Sequence, residues 1–191
     1  MEKLFDTWAK RNPEWETRFD ESIIKTYTDY GKGSTSFQEA RGKIFGAGYE
    51  MIIVAFFIGL YYNNRRPLVE DSTKRKTLGQ PIQYWGNVES RFGRSSYSQI
   101  KEYIFTALVA RTDFDFIALD KDEVKINKAV DALMNTMEEY INFGLHFIEE
   151  KMQDYPDYYF KETAFLRTFL DFIKPKEDNS ETLDDEPESL D

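Results

Sequence analysis

"EMIIVAFFIGLYYNNRRPL" occupies residues 50–68, and twelve of its residues, Met51–Tyr62, carry no charge before the chain turns to Asn63-Asn64-Arg65-Arg66-Pro67. A membrane anchor with a basic stop, a core strand and a buried helix can all begin this way. Length separates them. A helix crossing the hydrocarbon needs roughly 17 to 25 mainly apolar residues, and strands usually run to about 5 or 6. Twelve residues fit a core helix. The reading is therefore a buried helix that feeds a basic stretch, with no membrane span.

The rest of the chain agrees with a globular protein. Its 191 residues suit one domain, and 16% aromatic residues supply material for a large core. A charged fraction of 31% and a mean hydropathy of −0.62 place it among soluble chains. There is no cysteine, which excludes disulfides and thiolate chemistry. "MEKLFDTWAKRNPEWETRF" mixes charges with two tryptophans and shows no secretory pattern. The expected location is the cytoplasm.

The net charge of −10 is unevenly placed. Eight acids and no base lie between Glu177 and Asp191, which leaves a net −2 for residues 1–176. Such a tail has too little apolar content to offset its ordering entropy and is expected to be disordered. The domain is expected over 1–176 and the acidic tail over 177–191.

Periodicity predicts mostly helix. Trp15, Phe19, Ile23, Tyr27 and Tyr30 recur at three- and four-residue spacing, which predicts a helix over 14–30 that ends at "GKGSTS". A second helical region follows from Phe37, interrupted at Gly46-Ala47-Gly48. Another spans "YSQIKEYIFTALVAR" from Tyr97. The longest stripe, Ile126, Val130, Leu133, Met137, Tyr140, Gly144 and Phe147, predicts a helix over 121–152, with Asp120 and Glu123 as a capping box and Asp154 and Pro156 as its stop. A last helix is predicted over 158–173, where Phe165, Phe169 and Phe172 form either core or a docking face. The fold class is mainly α: a single domain of five or six helices, with an irregular basic insertion over 63–96.

Three constellations could carry chemistry. Between Asn63 and Lys101, eight bases face three acids, with Tyr84, Trp85, Phe92 and Tyr97 interleaved. Arg65, Arg66, Lys74, Arg75, Lys76, Arg91 and Arg94 are the candidate phosphate contacts; a solvated loop would show the same composition. The acids of "RTDFDFIALDKDEVK" invite a second reading, a magnesium-dependent nuclease built on Asp113, Glu123 and Lys125. Acids at a helix start also stabilise its dipole without any catalytic role. His146 is the only histidine, and no nucleophile motif accompanies it. "GKGSTS" and "GAG" lack phosphate-loop spacing, so no cofactor and no metal are expected.

"YEMIIVAFFIGLYYNNRRPL", "GQPIQYW", "IFTALVARTDFDFIALDKDE" and "MEEYINFGLHFIEE" succeed one another over residues 45–151. This succession resembles the small accessory proteins associated with Dnd-type DNA phosphorothioation systems. The resemblance implies a bacterial DNA-modification and phage-defence setting, with no reaction and no catalytic residues to transfer. The expected function is a non-enzymatic accessory protein of such a system that binds a partner protein, DNA, or both through the 63–101 region.

Overall fold

The computed structural model describes residues 2–28, 44–87, 95–115, 119, 122–161 and 163–173. Its elements are α1 (Glu2–Ala9), β1 (Glu14–Glu16), a π-helical turn (Asp20–Ile24) that runs into α2 (Lys25–Tyr27), α3 (Gly48–Tyr62), β2 (Arg75–Thr77), α4 (Ile100–Val109), α5 (Glu123–Asp154) and α6 (Ala164–Ile173). The result is a mainly helical single domain, with six helices among the described residues, as the periodicities led us to expect. None of these helices is long and apolar enough to cross a membrane. The acidic tail, Tyr30, "GKGSTS" and Asp120 lie outside the described residues.

The axis is α5. Its 32 residues extend about 48 Å at 1.5 Å per residue. Asp122 is its cap: its carboxylate accepts from the backbone N–H groups of Val124 (2.9 Å) and Lys125 (3.4 Å). The helix stops at Asp154 because Tyr155 precedes Pro156, which disfavours helical backbone before it. From Ile126 to Gly144 the predicted stripe is buried.

Against it lies α3, the apolar run of the opening stretch. Ala47 at its N-cap has no side-chain acceptor, so Glu50 reaches back and accepts from the N–H groups of Gly46 (2.7 Å) and Ala47 (3.1 Å). The helix ends at Asn63, whose left-handed backbone (φ 49°) Asn tolerates better than most residues. Two glycines bring α3 and α5 together. A Cβ on Gly59 would lie 2.3 Å from the Tyr140 carbonyl oxygen, and one on Gly144 would lie 1.9 Å from that of Ala55. The helices meet backbone on backbone.

Two expectations need correction. Glu14–Glu16 is not helix. It pairs antiparallel with Arg75–Thr77, Trp15 opposite Lys76, and Thr17 donates to the Lys74 carbonyl. Trp15, Phe19, Ile23 and Tyr27 are all fully buried as the spacing implied, but a distant strand captures the backbone of the first of them. The stretch from Asn63 is irregular as expected, with only three-residue elements at Ser72–Lys74, Arg75–Thr77 and Ile82–Tyr84, and its residues 63–67 and 70–74 are exposed. Its later part reaches the core, with Ile82 and Trp85 fully buried and Trp85 stacked on Tyr49 at 5.7 Å. The last predicted helix is divided, because a 3-10 turn at Tyr158–Phe160 stacks the buried Tyr159 on Phe165 (4.5 Å) before α6 begins. One helix, α1, escaped the sequence reading. Its eight residues are too few to be stable alone, and it is held by Leu4 and Trp8 against the core.

Gly144→Ala tests the helix contact. Overpacking of a core usually costs about 1 to 3 kcal/mol, and here the obstacle is backbone, so a loss at or above about 3 kcal/mol is expected in urea denaturation. A loss below about 1 kcal/mol, as surface substitutions give, would show that the two backbones do not touch.

Candidate functional site

The basic residues are mostly spoken for by the fold. Arg75 and Lys76 follow one another on β2, so their side chains leave opposite faces of the ribbon. Arg75 lies 3.7 Å from Glu14 and donates from Nε to the Val69 carbonyl. Lys76 pairs with Asp20 at 2.8 Å and covers the Trp15 ring. Arg65 is 3.5 Å from Glu139, and Lys74 is 3.8 Å from Asp71. Arg66 has an exposed side chain, and its backbone N–H donates to the Glu139 carbonyl. Arg91 and Arg94 lie outside the described residues.

Asp113, Glu123 and Lys125 are all exposed. Glu123 stands 3.9 Å from Lys3, and Lys125 borders a small cavity with Asp115. Among the described residues no group of three or more acidic or histidine side chains could hold a metal ion.

Sequence reasoning missed a buried polar knot around Glu16. Its Oε1 accepts from the Val69 N–H (3.0 Å) and the Asn142 amide (3.1 Å). The same amide donates to the carbonyls of Pro67 (2.9 Å) and Arg66 (3.3 Å). One turn further along α5, His146 is buried edge-on to Phe19 and lies 4.0 Å from both Glu16 and Glu149. Burial, with Arg66 and Arg18 adding to it, pulls the imidazole down to about 4. At neutral pH it is an uncharged histidine held in the core. Also on α5, Glu138 accepts from the Glu14 N–H at 3.0 Å. Burial pushes its carboxyl up to about 7, against the pull of that N–H and of Arg75 and Arg11.

The second missed feature is apolar. The face of α3 turned away from α5 lines an open groove of about 630 Å³ with Val54, Phe57 and Leu60, closed by Ile100 of α4, Phe169 of α6 and Arg111. Beside it the surface stays apolar. Tyr61 is 51% exposed and Tyr62 46%, while Leu166 and Leu170 on α6 are 58% and 47% exposed. Tyr62 sits near Asp171, the neighbour of Leu170. The signal was in the sequence: a helix apolar on every side needs cover on every side.

No family model, curated protein or solved structure matches this chain. The candidate sites thus stand on geometry: a basic edge largely paired within the fold, and an apolar surface around α3 and α6.

The buried acid and base give a pH test. Between pH 4 and 6.5 the unfolded chain binds a proton at residue 146 that the folded chain excludes, so this site makes stability rise with pH. Between 4.5 and about 7 the folded chain keeps a proton on Glu138 that the unfolded chain releases, so this site makes stability fall. Relative to wild type, His146→Gln is expected to remove the rise and Glu138→Gln the fall, read as urea midpoints from pH 4 to 8. Parallel curves for all three proteins would contradict both assignments.

Proposed function

We propose that this chain is an accessory protein whose task is to bind another protein, through the exposed apolar surface formed by α6 and the end of α3. The observation that carries the reading is the pair Leu166 and Leu170. Four residues apart on one helix face, they are about half exposed beside Tyr61 and Tyr62. Large aromatic and aliphatic side chains kept in water cost free energy that a partner recovers by covering them. Leucines four residues apart are the spacing that a helix-to-groove contact uses.

A duplex partner is less well supported. Arg75 and Lys76, at 26% and 31% exposure, are tied into the β-ribbon, so phosphates would have to displace Glu14 and Asp20. Arg65, Arg66 and Lys74 remain as exposed cations. The setting, a bacterial DNA phosphorothioation or defence system, rests on the sequence resemblance.

Cross-linking and affinity purification from the native host tests the reading. A stoichiometric protein partner is expected with wild type and lost with Leu166→Glu/Leu170→Glu, whose melting temperature should shift by no more than about 3 °C. Mobility-shift titration at three salt concentrations forms the second arm. A low-salt shift with a log-log slope of about −0.9 per phosphate neutralised, without any protein partner, would replace this reading by the DNA one.

A further inference from the structure

α3 and α4 are tied to each other at both ends. At the start, the Tyr97 hydroxyl, three residues before α4, donates to the Glu50 carboxylate in the first turn of α3. At the finish, Arg111, two residues past α4, donates to the Asn63 side chain at the C-cap of α3. The two helices therefore run in the same direction, and the groove of about 630 Å³ lies along α3 with one wall on α4. Its lining along α3 runs from Ile53 to Tyr61, about 12 Å at 1.5 Å per residue. Val54, Phe57 and Leu60 form the floor, Ile100 and Phe169 the walls, and Arg111 with the exposed Tyr61 marks the end nearest Asn63.

This polarity along one groove suggests what it takes. We propose that it binds a small amphiphile, an aliphatic chain ending in a carboxylate, with the chain along α3 and the acid on Arg111. The volume falls within the range of about 300 to 1,000 Å³ usual for small-ligand pockets. Two helical turns of lining are short for a protein segment, whose stable interfaces cover about 800 Å² on each partner. The guanidinium carries five N–H donors, and the bond to Asn63 uses one while fixing the group at the groove's edge. A carboxylate there also meets the negative ends of two helices. Each of these is equivalent to roughly half a charge that fades within a turn. On α3, the Gly59 and Leu60 carbonyls are already capped by the N–H groups of Asn64 and Asn63. The full charge in direct contact wins.

Isothermal titration with decanoate, decanol and decyltrimethylammonium, each below its micellar concentration, tests the proposal on the purified full chain. Wild type is expected to bind decanoate most tightly and the cation least. Arg111→Gln should weaken decanoate about fivefold, the upper end for an exposed ion pair, and leave decanol unchanged. Val54→Trp, which fills the floor, should abolish all binding with an unchanged far-UV spectrum; Ile100→Trp on the opposite wall replaces it if Val54→Trp unfolds. No saturable binding of any probe to wild type would overturn the ligand site. So would binding that survives both tryptophan substitutions. Equal affinities for the three probes, unmoved by Arg111→Gln, would overturn the carboxylate assignment.

Discussion

Two helix backbones meet in this protein where no side chain fits between them. Gly59 of α3 lies on Tyr140 of α5, and Gly144 of α5 lies on Ala55 of α3, each where a single added carbon would penetrate a carbonyl oxygen. Everything else is arranged around that contact. Because the α3 backbone sits directly on α5, Met51, Ile52, Phe56 and Ile58 are fully buried, while Val54, Phe57 and Leu60 are left on the far side. The far side is where the groove forms. A bulkier contact would have moved α3 outward and changed both faces together, since interiors are packed to crystal-like density.

Buried carboxylates then fix the irregular segments to this pair of helices. Glu16 holds Val69 and Asn142, and Asn142 holds the carbonyls of Arg66 and Pro67. Glu50 holds Gly46, Ala47 and the Tyr97 hydroxyl. A carboxylate taken out of water is tolerated when its oxygens are supplied with donors, and both of these are. Their side chains serve as connectors where turns of regular backbone are absent. This explains how a stretch with little secondary structure is held in place beside the core.

The same arrangement distributes charge. Bases that read as a cluster in the sequence are drawn to separate acids: Arg65 to Glu139, Lys74 to Asp71, Arg75 to Glu14 and Lys76 to Asp20. Exposed pairs of this kind contribute little stability, but they do lower the field that a phosphate chain would meet. The surface that remains chemically distinctive is apolar, around Tyr61, Tyr62, Leu166 and Leu170.

The sequence by itself determined the helices whose signal is local. The stripe from Ile126 to Gly144 named the core face of α5, and the length of the Met51–Tyr62 run named α3 as a buried helix, because both depend only on spacing along one segment. The buried set Trp15, Phe19, Ile23 and Tyr27 was legible too, although its backbone was not. Whether Glu14–Glu16 coils or extends depends on Arg75–Thr77, some sixty residues away, and no local propensity encodes that pairing. The groove and the basic edge belong to the same class. Arg111 reaches it from beyond α4 and Phe169 from α6, and the partner of Lys76 is Asp20 on the opposite strand's continuation. Only tertiary structure decided which residues meet, because each of these contacts joins segments that the chain itself keeps apart.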